Sequence, residues 1–499
     1  MSSSKSSPKR AGKSSFKPPN VSAFDLFYQM TYMSAMSSAG ISRAKTFEIA
    51  AASPSTVSGY FKAINRLVKE FRYDYPDACR LVGDRAKTDE MRSFLLRLSD
   101  ALRSGEPLPD FLGREAAVQG QNYANAYERE IETLKQWTDA FSSLVVSVAL
   151  IVIIQLVSSM IYSMNTTVVA GLMTTAVVIG FFGAWIISRA APQEKTMVGA
   201  AEGSMEQRRT LRMAQLFGPL AVVVGIGLAL LGLDRGWVLI GIASLLFPVG
   251  MASMAADKKV DKRNEEFGTL LRSLGGMATS AGTTLKQSLT KIDLSSFPTL
   301  QPDVDRLSKR LQAQVNPDIC WSKFGLETGS QLITEGVDIF YGAIHLGGDP
   351  ERVGFLVSQF VTTTSQLRAK RRIVSSTFTG LTLVMQGVVA GLMIFVLEII
   401  NNFIQMMNKV ITPKDAAMAA QNIAMPMSSI TPEQFSFLTT MTVGTVILLA
   451  AIGAAAILAA DGGFKLKFGF YLAVAFVISG VGFLIIPPAV AGILLSTTS

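Results

Sequence analysis

Seven stretches of this chain are apolar over the length an α-helix needs to cross a bilayer, about 20 residues. They run approximately Phe141–Tyr162, Val168–Ile187, Leu216–Leu233, Trp237–Met254, Phe378–Ile400, Leu438–Ala459 and Phe468–Leu495. Within hydrocarbon every backbone N–H and C=O must find a partner inside its own segment, which a helix of this length provides. The fold class that follows is all-α: a polytopic helical membrane protein of about seven spans with helical bundles outside the membrane. Only Leu233-Asp234-Arg235-Gly236 joins the third and fourth spans, so these two form a tight hairpin. The seventh contains Pro487 and Pro488, which predict a kink or an early end.

Lys and Arg in the connections orient the spans. Ser163–Thr167 after the first span carries none, whereas the connection after the second holds Arg189, Lys195, Arg208, Arg209 and Arg212. The segment after the fourth opens with Lys258, Lys259, Lys262 and Arg263 and closes with Arg368, Lys370, Arg371 and Arg372. Alternation at every step places the N-terminus in the cytoplasm and the C-terminus outside a multi-pass cell membrane protein. The expected organisation is a disordered basic tail (1–20), a cytosolic bundle (21–140), four spans (141–254), a second cytosolic bundle (255–377) and three spans (378–499). No apolar run follows the charges of the tail, so it does not read as a signal peptide. It is either a solvated tail or a weak contact with anionic headgroups.

Composition excludes several classes of function. The net charge of +9 could suit nucleic acid. The basic residues cluster beside apolar spans, however, without the aromatic interleaving of nucleic-acid readers, so no nucleic-acid partner is expected. Cys79 and Cys320 have no metal-ligand spacing and read as free buried thiols. His345 is the single histidine and cannot by itself build a metal site or a nucleophilic triad. Gln155, Gln386 and Glu398 are the polar residues inside spans. They suit hydrogen bonds between helices better than an ion path, which needs a chain of such groups. That weighs against the alternative reading, a membrane transporter or channel. No Gly-x-x-x-x-Gly-Lys-Ser/Thr phosphate loop occurs, and no metal or cofactor is expected.

The two segments outside the membrane look duplicated. Ser-Ala-Gly at Ser38–Gly40 recurs at Ser280–Gly282, an offset of 242; Gly105-Glu106-Pro107 aligns with Gly348-Asp349-Pro350 at 243. The tripeptide makes a sharp turn between two helices. Gly ends one in the left-handed conformation, the acid caps the next, and Pro occupies its first position. Phe94, Leu95, Leu98, Ala101 and Leu102 lie at helical spacing just before the first turn and are expected to be core.

"LSDALRSGEPL" (98–108) and "GGDPERVG" (347–354) resemble the helix-Gly-acid-Pro signature of the membrane platform proteins of type IV filament machines. The cytosolic unit of that family is the type II secretion F domain. The resemblance covers roughly residues 20–400. Bacterial members have about three spans; seven, with the extra hairpin, looks instead like the archaeal branch that serves the archaellum or adhesive pili. The resemblance implies a non-enzymatic platform. A separate hexameric cytosolic secretion-type ATPase would do the chemistry, and pilin-like or archaellin subunits would be inserted at the filament base, with rotation transmitted in the archaellum case. A homodimer is compatible with one platform beneath a symmetric ring. For ATPase or lipid-headgroup docking the residues of choice are Arg208, Arg209, Arg212, Arg368, Lys370, Arg371 and Arg372. Ordinary positive-inside topology accounts for the same seven.

Overall fold

The computed structural model describes residues 18–161, 166–199, 203–410 and 432–497. The tail expected at 1–20 falls outside these but for its last three residues, as do the side chain of Gln155 and most of Ser163–Thr167. Sixteen α-helices follow one another among the described residues. They are α1 (Ala23–Ser37), α2 (Arg43–Ala52), α3 (Ser58–Phe71), α4 (Tyr75–Gly83), α5 (Asp89–Ser104), α6 (Leu108–Ile161), α7 (Thr166–Ala190) and α8 (Met205–Leu230). After them come α9 (Arg235–Ser280), α10 (Leu285–Lys291), α11 (Gln301–Gln312), α12 (Pro317–Thr328), α13 (Gln331–His345), α14 (Pro350–Val410), α15 (Pro432–Asp461) and α16 (Phe468–Thr497). Among the described residues β-pairing is confined to one isolated bridge, Met197 with Ser330.

Seven of these helices, α6 to α9 and α14 to α16, are long and apolar enough to cross a membrane. The expected spans therefore stand, and three belong to much longer helices: α6 is 54 residues, α9 46 and α14 61, and α6 and α14 start well before their apolar stretches. The hairpin between α8 and α9 closes over Leu231–Asp234, with Gly232 in the left-handed region. The early end at Pro487-Pro488 does not occur, because α16 runs through both prolines to Thr497. A proline removes its own N–H and crowds one carbonyl, a local loss that a membrane helix can make good nearby.

Packing divides the chain into two compact units. The first comprises residues up to Ala126 with Gly268–Ile292 and Gly336–Phe360. Its core is drawn from α1 to α6: Leu26, Met30 and Met33 meet Phe47, Tyr60, Phe61 and Ile64, with Phe94, Leu95, Leu98 and Leu102 from α5. The five positions expected from helical spacing are all buried, Phe94, Leu95 and Leu98 completely. Complete burial of a Leu or Phe stabilises by roughly 1.5–3 kcal/mol. Caps set the helix starts: the Ser22 hydroxyl accepts from the Asp25 N–H at 3.0 Å, and Asp25 suits the positive end of the dipole.

The second unit comprises Tyr127–Phe267, Asp293–Glu335 and Val361 onward. Here α7 packs along α15, and Gly180 lets Leu449 and Ile452 come close to the helix axis. Gln386 donates to the Val446 carbonyl at 3.3 Å and to the Ser479 hydroxyl at 3.1 Å, joining α14 to α15 and α16. This is the interhelical role expected of it. Glu398 accepts from Asn401 and Asn402 one turn along its own helix.

Backbone conformation brings out the duplication. Outside the hairpin and the ends of α12 and α15, the left-handed residues fall into three pairs: Gly40 with Gly282, Arg72 with Gln314, and Gly105 with Gly347. All three pairs are 242 positions apart, as are the first residues of α2 and α10, α4 and α12, α5 and α13, and α6 and α14. Equivalent caps recur too, the Ser42 hydroxyl accepting from Lys45 N–H and the Thr284 hydroxyl from Gln287 N–H. The one-residue disagreement between the two sequence matches thereby disappears. Gly347, not Gly348, is the left-handed residue that matches Gly105.

Residues at equivalent positions also touch. Arg352 pairs with Asp110 at 3.6 Å within the first unit, and Lys370 with Glu128 within the second; each pair is separated by 242 positions. A contact between a residue and its own equivalent places it beside a local pseudo-two-fold axis. In a symmetric dimer such positions would face like charges; the duplicated sequence places opposite charges there. Both pairs are about half exposed, so each stabilises by at most about 1 kcal/mol.

Candidate functional site

Interior turns of α9 and α14 meet the end of α15 and the start of α16 in an ionic clasp. α15 stops at Asp461 because Gly462 takes the left-handed conformation, with φ of 79°. Gly463 and Phe464 then lead into the short 3-10 turn Lys465–Lys467, which starts α16. Alternate residues of this turn face opposite ways: Lys465 is exposed and Lys467 buried. The Lys467 ammonium lies between Asp257 of α9 and Asp461, with both carboxylates 7% exposed. Asp257 also accepts from the Phe464 N–H at 3.2 Å and pairs with Arg372 at 3.1 Å. Arg372 reaches Asp261 one turn along α9, and the Ser375 hydroxyl donates to Asp461 at 3.1 Å. Three carboxylates and two cations thus hold four helices together by charge-assisted contacts, with Asp257 shared between both cations.

Arg371 makes a second tie. It is 5% exposed and donates to three carbonyls: Ala460 at 2.9 Å, Pro192 at 3.0 Å and Ala459 at 3.1 Å. Ala459 and Ala460 lie in the last turn of α15, whose carbonyls lack intrahelical donors and carry the negative end of the dipole. Pro192 belongs to the strap that follows α7. Val198 N–H donates to the Gly329 carbonyl and Gln331 N–H to the Thr196 carbonyl, which pin that strap to the turn between α12 and α13. From α8, the Gln207 amide donates to the same Gly329 carbonyl at 3.0 Å while its oxygen completes a capping box with Ser204.

A third buried pair lies behind the strap. Arg263, 3% exposed, pairs with Asp303 at 2.9 Å and donates to the Thr328 carbonyl at 2.9 Å. Next to it Arg310 and Arg306 engage Glu327. Burial opposes ionisation of Glu327, but the hydrogen bond and charge of Arg310 and the charge of Arg306 outweigh it and hold this carboxyl below the usual range.

The residues chosen for docking separate into two groups. Arg208, Arg209 and Arg212 are exposed in the first two turns of α8, and Arg208 donates to the Gly203 carbonyl. Arg209 and Arg212 have no carboxylate partner among the described residues. Lys370 is exposed and paired with Glu128. Of the other three, Arg371 is buried on carbonyls and Arg368 is 12% exposed on Glu194, whereas Arg372 is 44% exposed yet held by Asp257 and Asp261. Arg368 and Arg371 are not presented to a partner. Their charge marks a membrane boundary, but their guanidinium groups are turned into the chain.

The paired turns also differ from expectation in detail. Gly105 caps α5 with φ of 75°, and α6 begins at Leu108, so Pro107 precedes the helix; Glu106 reaches Arg114 rather than capping. In the second copy Asp349 does cap, accepting from Arg352 N–H at 3.1 Å, and Pro350 is the first residue of α14. Sequence reasoning missed Asp257, Asp261, Asp461 and Lys467. The available signal was two Asp one helical turn apart beside an apolar span, and a Lys next to the start of another.

None of these arrangements pairs a nucleophile with a base. The described residues contain no metal-ligand cluster, and His345 ends α13 beside the Tyr341 ring. Both cysteines are free and fully buried, and burial pushes the Cys79 thiol up to about 12. A thiol so far above neutrality carries almost no thiolate. Maleimide should therefore label neither cysteine in the folded protein and both after denaturation, read by mass shift; rapid native labelling of Cys79 would contradict its burial.

With this geometry in hand, comparison with known proteins is specific. Residues 30–156 match the family model described as Type II secretion system (T2SS), protein F. This segment is similar to a type II secretion F domain. Two curated relatives extend the similarity beyond the F domain. Flagella accessory protein J of Methanocaldococcus jannaschii is 25% identical over 405 residues, covering 78% of this chain and 70% of that protein. Flagella accessory protein J of Methanococcus voltae is 22% identical over 408 residues, covering 80% and 72%. No solved structure matches.

Proposed function

We propose that this chain is a multi-pass cell-membrane platform for assembly of a type IV pilus-like filament of the archaellum kind. It acts as a non-enzymatic coupler between a separate, hexameric cytosolic secretion-type ATPase and the pilin-like or archaellin subunits inserted at the filament base. In an archaellum it would also transmit rotation. The observation that carries this reading is the F domain at 30–156 within a chain similar over most of its length to two flagella accessory proteins. The helical plan of that domain recurs 242 positions later, and we assign the second copy the same role. The N-terminus is assigned to the cytoplasm and the C-terminus to the outside, with the basic helix ends on the cytoplasmic side.

The geometry is suited to coupling. α6 and α14 each run unbroken from an amphipathic beginning into an apolar span, so a displacement at one end of either helix is carried along it. The clasp joins four helices into one body, which transmits force without dissipating it in loops. ATPase docking is assigned to the exposed Arg209 and Arg212, together with Arg208. Reversing two charges, Arg209→Glu with Arg212→Glu, should leave membrane insertion intact and cut retention of the purified ATPase by about tenfold or more, as rim charges govern encounter. Unchanged retention would show that these arginines only set topology. Filament assembly that persists in a strain lacking this protein would defeat the coupler reading itself.

A further inference from the structure

Between the strap, the first turns of α8 and the last turns of α15 lies a cleft of about 860 Å³ that neither the clasp nor the docking surface uses. Its mouth carries Lys195 and Lys465, both exposed and neither with a carboxylate partner among the described residues. Arg371 lines it deeper down, and its one carboxylate, Glu194, is already neutralised by Arg368. Besides the polar Ser188, Gln193 and Thr196, the wall is mainly apolar, with Leu211 from α8, Ala455 and Leu458 from α15, and Leu466 from the turn. Ala455 lies six residues before the end of α15, about 9 Å along the helix from its basic end. The cleft therefore runs from the level of the helix ends into the apolar part of the span.

We propose that this cleft binds one anionic membrane lipid. Its phosphate lies at Lys195 and Lys465, and the beginning of its hydrocarbon chain lies against Leu211, Ala455, Leu458 and Leu466. Three features select this occupant. The unneutralised charge is positive, which suits a phosphate. The apolar wall continues beneath the charges, so water alone would wet Leu458 and Leu466, whereas an amphiphile satisfies both levels at once. The depth at which Ala455 lies is open to lipid and closed to a folded partner approaching from the aqueous side. Bound there, the lipid touches the strap, α8 and the end of α15, elements that otherwise meet through Arg371 and Gln207. It would act as a removable part of the same tie.

The test uses the full-length chain, delipidated in detergent and titrated with phosphatidylglycerol or phosphatidylcholine of the same acyl chains, with bound lipid counted by native mass spectrometry. One phosphatidylglycerol should bind more tightly than phosphatidylcholine. Lys195→Gln with Lys465→Gln should weaken phosphatidylglycerol by about tenfold or more and leave phosphatidylcholine unchanged. Ala455→Trp fills the apolar wall with the lysines intact and should abolish binding of the same lipid. Lys258→Gln with Lys262→Gln removes two exposed charges elsewhere on α9 and should change nothing. The proposal is overturned if the two lipids bind equally to the unaltered chain, or if the α9 pair weakens binding as much as the cleft pair. It is equally overturned if inorganic phosphate occupies the cleft as tightly as the lipid, because the chain would then contribute nothing.

Discussion

Lys467→Met is expected to cost about 3–5 kcal/mol of stability, among the largest losses available to a single substitution in this chain. The side chain is 3% exposed and lies between two carboxylates that are themselves 7% exposed. Methionine keeps the length and the apolar stem but leaves Asp257 and Asp461 facing each other without the shared cation. Arg372 still reaches Asp257, so Asp461 bears most of the loss, with only the Ser375 hydroxyl and the more distant Tyr471 hydroxyl near it. The measurement is thermal unfolding of the purified protein in detergent, with Lys467→Met, Asp461→Asn and the double variant forming a cycle. The double variant should recover at least half of the loss, because it removes the stranded charge together with its partner. If Lys467→Met unfolds with the parent, or if the double variant is as damaged as the sum of the singles, the clasp does not hold these helices together.

Arg371 and Lys370 are neighbours of the same sign, and their substitutions should differ by several kcal/mol. Arg371→Met strands the carbonyls of Ala459, Ala460 and Pro192, which now receive charge-assisted hydrogen bonds. Such bonds contribute about 1.5–3 kcal/mol each, and partial relaxation leaves an expected net loss on the order of 3–5 kcal/mol. Lys370→Met removes an exposed pair with Glu128 and should cost less than about 1 kcal/mol. Gly462→Val tests the same tie by shape alone. Its Cβ would lie 2.5–2.7 Å from the Arg371 guanidinium, and φ of 79° is unfavourable for a branched residue. Both Arg371→Met and Gly462→Val should lower the unfolding midpoint well below that of Lys370→Met. Equal midpoints for the two neighbours would mean that Arg371 is a topology signal like any other.

Much of the architecture was legible before any coordinates. A membrane span is a local property of about 20 consecutive residues, so its existence needs no knowledge of partners. The hairpin at Asp234-Arg235 was legible for the same reason. The core face of α5 followed from a repeat of about 3.6 residues between Phe94 and Leu102. The duplication was legible as two short matches, but their register was ambiguous by one because Gly347-Gly348 offers two glycines. Only φ distinguishes them, and φ is set by which of the two leaves α13. The pairing of Arg72 with Gln314 as left-handed residues had no signal at all, since neither is the residue that conformation favours.

The charged residues mark the boundary between the two kinds of information. The sequence by itself determined that Lys and Arg gather at one end of the spans, because that bias is a sum over short segments. Tertiary structure alone decided what each of them does. Within the run Lys258–Arg263, Lys258 and Lys262 are exposed, while Lys259 pairs with Glu206 and Arg263 is buried against Asp303. In Lys370-Arg371-Arg372 the three neighbours meet an exposed glutamate, three backbone carbonyls and two aspartates. Charge type is written residue by residue. Whether a charge faces solvent, lipid or a counter-charge depends on helices hundreds of positions away, and the energy of each choice is fixed only when those helices pack.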